Sequence, residues 1–246
     1  MLSDLLDGIV QTLGDAVQGI VLYGSLVAGD FDSLTSDIDL LVAMSGEVDD
    51  AALEALRRMH DELVAAHPGW RDRVEVAYLP AVALATFRER EGPLVVISPG
   101  EPLHRTRTDP GWVLNWHPAR EHGVSLVGQS PQQLIAPTTP ADFASAARSH
   151  MGWMLAKLEA SDMPALHAYA VVTACRALHV CSTGVQVSKP VASAWAEEQF
   201  PQWSVTIRAA ADWRRQAIVQ EDAGKRPVPG SLGFLRFVVG MLASYE

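Results

Sequence analysis

The stretch Tyr23-Gly24-Ser25-Leu26-Val27-Ala28-Gly29, resumed at Ser36-Asp37-Ile38-Asp39-Leu40-Leu41-Val42, decides how this chain is read. Ile20 to Tyr23 is an apolar run of strand length, and Gly24-Ser25 follows it directly. Without a Cβ, Gly24 permits close backbone approach, and N–H groups with a serine hydroxyl can hold a phosphate. Ile38 to Ala43 reads as a second strand, opening on acids. Asp37 and Asp39 are alternate residues, so their carboxylates share a face. Two carboxylates that close repel unless a cation lies between them. Hard oxygen donors suit Mg²⁺, which takes one or two carboxylates together with substrate phosphates. Val74 to Leu79 reads as a third strand, with Glu75 on the face opposite Val74 and Val76. Three acids on neighbouring strands beside a phosphate-holding turn describe a site for metal-assisted phosphoryl or nucleotidyl transfer.

Around this centre the apolar spacing predicts a helix over residues 1–18, broken by Gly19. A turn-rich segment is expected over 26–36, with Gly29, Asp30, Asp32 and Ser33. An amphipathic helix is expected over 49–66, ended by Pro68-Gly69, and short strands at Leu94 to Ser98 and Val124 to Val127. The Pro- and Gly-punctuated stretch 99–118 reads as loop. Pro131, Pro137 and Pro140 mark a boundary, which gives an α/β domain over 1–137 and an all-α domain over 138–246. Helices are predicted at 141–160, 164–181, 190–200, 203–221 and 231–245, the last two separated around Gly224, Pro227, Pro229 and Gly230.

The 246 residues include 19 Lys and Arg against 29 Asp and Glu, a formal charge of −10. Such a chain repels phosphate backbones, so nucleic acid is not expected as a partner, whereas cationic small molecules are attracted. Cys175 and Cys181, six residues apart on one predicted helix, cannot easily bridge and read as core thiols of a reducing compartment. The opening residues carry Asp4 and Asp7 and no basic run, unlike a secretory signal. No apolar run approaches the ~18–20 residues that span a bilayer. A cytoplasmic chain is expected, with no membrane partner; no interface shows in the pattern, so the oligomeric state is left open, with a monomer slightly favoured. His117 and His122 lack the spacing and partners of a metal site. Trp195, Trp203 and Trp213 read as packing anchors, and Arg71, Arg73, Arg88 and Arg90 as a solvated face.

The pattern Gly24-Ser25, Asp37-x-Asp39, Glu75 resembles the nucleotidyltransferase superfamily, whose shared domain is like the polymerase β palm. Two further stretches extend the likeness. Ala119-Arg120-Glu121-His122-Gly123-Val124-Ser125-Leu126-Val127-Gly128 is one, and Ser182-Thr183-Gly184 with Ser188-Lys189-Pro190-Val191-Ala192-Ser193-Ala194-Trp195 is the other. They resemble the aminoglycoside 3″/9 (streptomycin/spectinomycin) adenylyltransferases. The resemblance implies an α/β nucleotidyltransferase domain followed by a helical bundle, with Mg²⁺-ATP and the drug in the cleft between them, and a role in antibiotic resistance. It places metal ligation on Asp37 and Asp39, with help from Glu75, and two Mg²⁺ ions. Glu75 falls at the family's catalytic base. Phosphate contacts fall on Ser25, beside Gly24, on Ser36 and on Lys189, and an ATP-contacting acid falls nearest Asp109. The family's drug-binding wall is kept only in part: one of its acids falls on Asp162, the other position is Leu166, and its stacking Trp falls on Lys157, with Trp153 a turn away. Trp112 and Trp116 are the aromatics near a second substrate Trp.

Three functions fit these residues. One is AMP transfer from ATP to a hydroxyl of an aminoglycoside-like small molecule. Another is AMP transfer to a protein or other hydroxylated acceptor. The last is a non-catalytic nucleotide sensor. Retention of all three acids favours an enzyme.

Overall fold

In the computed structural model, which describes residues 1–29, 31, 33, 36–216 and 228–244, the first apolar period forms helix α1 (Leu2–Leu13). Its Leu5, Ile9 and Leu13 recur every four residues and are buried. The helix ends well short of Gly19, which instead lies inside strand β1 (Val17–Tyr23). There its missing Cβ admits the Leu134 side chain, which a Cβ would meet at 2.8 Å. Gly19 was expected as a helix stop, but it is a close-packing point in the sheet.

The chain divides into two compact units, Met1–Thr138 and Thr139–Glu246. The first is built on a six-stranded mixed sheet in the order β5-β4-β3-β2-β1-β6. Its other strands are β2 (Ile38–Met44), β3 (Val74–Pro80), β4 (Pro93–Ser98), β5 (Glu101–Arg107) and β6 (Val124–Gly128). Among the described strands only β2 and β3 pair in parallel. The crossover they require is supplied by helix α3 (Asp50–Ala66), capped by Asp49, whose side chain accepts from the Ala52 N–H at 2.8 Å. Leu53, Leu56 and Leu63 of α3 pack with α1 and with Leu40, Val42 and Val76 in one core.

The turn-rich segment begins as a one-turn helix, α2 (Ser25–Ala28). Residues 30, 32, 34 and 35 of that segment lie outside the described residues, so the turn reading there is not addressed. The loop expected over 99–118 is mostly regular: it holds β5 and the start of helix α5 (Val113–His122). β5 is an edge strand with Leu103 its only buried residue, so no alternating apolar pattern marks it. Pro102 is tolerated there because an edge has spare donors. In α5 the interior Pro118 disguises the helix. Two short helices, α4 (Ala81–Thr86) and α6 (Pro131–Leu134), complete the unit.

A buried polar pair sits within this core. His60 Nε2 lies 2.8 Å from the Tyr78 hydroxyl, with His60 4% exposed and Tyr78 fully buried. Burial lowers the His60 pKa to about 4 from 6.5. The folded chain therefore holds His60 neutral while the unfolded chain takes up a proton below pH 6.5, so acid favours unfolding. Stability is expected to fall as pH drops from about 6.5 through about 4, by about 3 kcal/mol in full. Thermal melts across that range, compared with His60→Gln, check this: the variant should lose much of the slope.

Among the described residues the second unit holds helices and no strand. Helices α7 (Pro140–Glu159), α8 (Pro164–Thr183), α9 (Lys189–Gln199), α10 (Ser204–Gln216) and α11 (Ser231–Leu242) pack around α8. Residues 217–221 and 245, expected to be helical, and 224–227, expected to separate helices, lie outside the described residues. Trp195 and Trp203 do anchor packing: with Phe200, Phe234 and Phe237 they form a chain of ring contacts 5.2 to 6.0 Å apart. Trp213 buries its indole N–H without a partner among the described residues. Cys175 and Cys181 are free, and burial pushes the Cys175 thiol up to about 12, which makes it inert.

Candidate active site

Sheet register draws the predicted acids together. Tyr23 at the end of β1 pairs with Asp39 on β2, and Asp39 pairs with Glu75 on β3. Cross-strand partners share a face, so the three side chains form one row across the middle of the sheet. Asp37 and Ser36 directly precede β2, and Gly24-Ser25 directly follows β1. Gly24 adopts φ 74, and a Cβ there would fall on the Asp39 carboxylate. The position thus requires glycine both for its left-handed backbone and for the room it leaves an acid. Gly24→Ala is expected to cost ~1–2 kcal/mol from the backbone alone and to displace Asp39. A melting point lowered by a few degrees, with turnover almost abolished in the remaining folded protein, would be the result.

Glu75 is held by two donors that share one of its oxygens. The Tyr23 hydroxyl and the Asn115 Nδ2 each donate to Oε1, at 3.3 Å. Burial first, then the charges of Glu75 and Asp39, hold the Tyr23 pKa well above its ordinary value, so it remains a donor. Asn115 is a site residue that sequence reasoning missed, because it lies on α5, inside the stretch expected to be loop. Beside it the fully buried Trp116 stacks on Trp112, ring centres 4.9 Å apart at 18°.

The remaining expected residues are placed as follows. Asp109 turns its carboxylate on its own turn, accepting from the Gly111 N–H at 2.6 Å. Arg120, in the Ala-Arg-Glu-His stretch, donates to the carbonyls of Gln132 and Ile135, both at 2.7 Å. That stretch therefore latches α5 to the segment at and after α6. Lys189, in the second unit, opens α9 behind the cap Ser188, its Nζ 5.0 Å from the centre of the Tyr169 ring. Asp162 is exposed in the connection between α7 and α8. Trp153 is half exposed, with Lys157 Nζ 4.1 Å from its ring centre and the His150 ring stacked on it at 5.4 Å. The arginines expected as a solvated face do not behave alike. Arg88 donates to the Pro137 carbonyl at 3.2 Å, and Arg73 grips three backbone carbonyls. Main-chain acceptors leave no mark in a sequence, so nothing distinguished these two from Arg71 and Arg90.

Among the described residues no group of three or more His, Cys, Asp or Glu side chains forms a cage able to hold a metal unaided. Mg²⁺ does not need one: a carboxylate or two, completed by phosphate oxygens and water, is its usual protein site. The acids beside the Gly24-Ser25 turn fit that use. Their placement, with a third carboxylate oriented by two hydrogen bonds, can bring a phosphate, a cation and a proton acceptor to one face of the sheet.

A mixed sheet carrying this row defines the class. Residues 3–90 match the family described as nucleotidyltransferase domain, so the first unit carries a nucleotidyltransferase domain. Residues 133–228 match the family described as aminoglycoside adenylyltransferase, C-terminal domain, so the chain resembles the aminoglycoside adenylyltransferases in both halves. Aminoglycoside (3″) (9) adenylyltransferases of Klebsiella pneumoniae and Shigella flexneri are each 29% identical over 237 residues, covering 90% of this chain and 86% of theirs. Among solved structures, the spectinomycin adenyltransferase AAD(9) of Enterococcus faecialis, crystallised with ATP and spectinomycin, superposes with a TM-score of 0.75. It is 13% identical, and the match covers 99% of this chain and 98% of that one, which establishes the shared fold: a nucleotidyltransferase domain followed by a helical region.

Proposed function

We propose that the protein transfers AMP from Mg-ATP to a hydroxyl of a cationic, aminoglycoside-like small molecule and releases pyrophosphate. The observation that carries this reading is the in-register row of Asp39 and Glu75 beside Gly24-Ser25. Asp37 and Asp39 hold the metal, and Gly24, Ser25 and Ser36 hold phosphate oxygens. Mg²⁺ bound there supplies positive charge against the negative charge that develops at the transferring phosphorus. Glu75, fixed by Tyr23 and Asn115, takes the proton of the attacking hydroxyl as it displaces pyrophosphate in line. On the helical unit, Lys189 is assigned to the triphosphate and Asp162 to the acceptor, while Asp109 and Trp112 are the nucleotide and acceptor contacts of the α5 approach.

Charge distribution supports a cationic acceptor. Through residue 138 the chain has 9 basic and 20 acidic residues, 9 − 20 = −11; beyond it, 10 and 9, 10 − 9 = +1. The acidity lies entirely in the unit that carries the acids, where it concentrates cations. Among the described residues no helix is long and apolar enough to cross a membrane. With two free cysteines, a cytoplasmic protein with domains at 1–137 and 138–246 completes the reading, its oligomeric state left open.

The deciding experiment incubates the purified chain with Mg-ATP and a panel of hydroxylated acceptors, streptomycin and spectinomycin included, and follows AMP adducts by mass spectrometry. An adduct on a cationic acceptor, with KM rising as salt screens the acidic unit, is expected. Adducts confined to anionic or protein acceptors, or none at all, would overturn the assignment.

A further inference from the structure

Asp37 is held from both sides by a single residue outside the acid set. The Arg73 guanidinium donates to the Ser36 carbonyl through Nε at 3.1 Å and through Nη2 at 2.6 Å. Nη2 also donates to the Ser33 carbonyl at 2.9 Å, and Nη1 to that of Gly69 at 3.5 Å. On the other side of Asp37, the Ile38 N–H donates to the Arg73 carbonyl at 3.0 Å. Arg73 thus fixes the residue before Asp37 with its side chain and the residue after it with its backbone. Its guanidinium carbon lies 4.5 Å from the centre of the Trp70 ring, which in turn stacks on Phe31 at 6.4 Å. Asp72, just before it, is the one described non-glycine residue with a left-handed backbone, φ 56. The turn at Asp72 delivers Arg73 to the Ser33 and Ser36 carbonyls.

We propose that Arg73 is a positioning residue for metal–nucleotide binding: its guanidinium sets the backbone immediately before Asp37 and so aims that carboxylate. This rests on the metal role given to Asp37 above. Arg73 touches no reacting atom, and only a planar fork of five donors can serve the carbonyls of Ser33, Ser36 and Gly69 at once. Charge alone predicts the opposite effect. A cation beside carboxylates weakens their hold on a metal, so deleting it should tighten binding. Positioning predicts that deletion loosens it.

The test titrates Mn²⁺ into the full chain with α,β-methylene-ATP, a nucleotide that cannot donate AMP, and reads free Mn²⁺ by electron paramagnetic resonance. Arg73→Ala should weaken Mn²⁺ binding by about tenfold, while Arg71→Ala, which removes the same charge from an exposed neighbour, should not weaken it. Arg73→Lys keeps the charge without the fork and should recover only part of the loss. It is also the variant to read if Arg73→Ala fails to fold. Unchanged or tighter binding in a folded Arg73 variant would overturn the proposal while leaving the metal site standing. Absence of Mn²⁺–nucleotide binding in the unmodified protein would overturn the metal site itself, and the role of Arg73 with it.

Discussion

Asp39→Asn should reduce kcat by roughly 10²–10³-fold, about 3–4 kcal/mol of barrier, with the fold intact. An amide keeps the shape of the side chain but cannot offset the charge of a metal at the transferring phosphate. Asp39 stands between Tyr23 and Glu75 in the sheet, with Gly24 shaped around its carboxylate. Its backbone pairing does not depend on its charge, so unfolding temperature should change little. Asp37→Asn should behave alike, because both acids are assigned to metal ligation. Pyrophosphate release measured beside circular dichroism checks both, and near wild-type kcat in Asp39→Asn would remove the metal assignment.

Glu75→Gln should lower turnover by ~10²–10⁴-fold, equivalent to about 3–5 kcal/mol, while nucleotide binding persists. The amide oxygen still accepts from Tyr23 and Asn115, so the side chain keeps its place while losing the ability to take a proton. Calorimetry for Mg-ATP and for the acceptor, run beside the pyrophosphate assay, separates the outcomes. Rate lost with binding kept supports the base. An unchanged rate would mean that the proton leaves by another route, and loss of nucleotide binding as well would leave Glu75 as a metal ligand only.

The sequence was most legible where local pattern and tertiary role coincide. Asp37-x-Asp39, the Gly24-Ser25 turn and the alternation around Glu75 are written within a few residues each, and the central strands are buried and apolar enough to read. What escaped was set by pairing across the sheet or by contacts with backbone. β5 is a strand because it pairs with β4; its own residues are mostly polar and exposed. α5 carries Pro118 inside it, and that punctuation concealed Asn115. Arg73 and Arg71 look alike two residues apart, and only the fold shows that one of them reaches the Ser33 and Ser36 carbonyls. Gly19 read as a break because a glycine before an apolar run usually ends something; here it admits Leu134.

The row across β1, β2 and β3 has a consequence for how such a protein would age under heat. Its members sit at the ends of strands whose inner residues, Leu40 to Ala43 and Val76 to Leu79, are wholly shielded from water. Amide hydrogens there can exchange only when the whole unit opens, so they should be the slowest to take up deuterium. The spacing between Asp39 and Glu75 is the spacing of the strands themselves, and no partial loosening at the surface alters it. Warming should therefore keep Asp39 and Glu75 in register until the sheet itself comes apart.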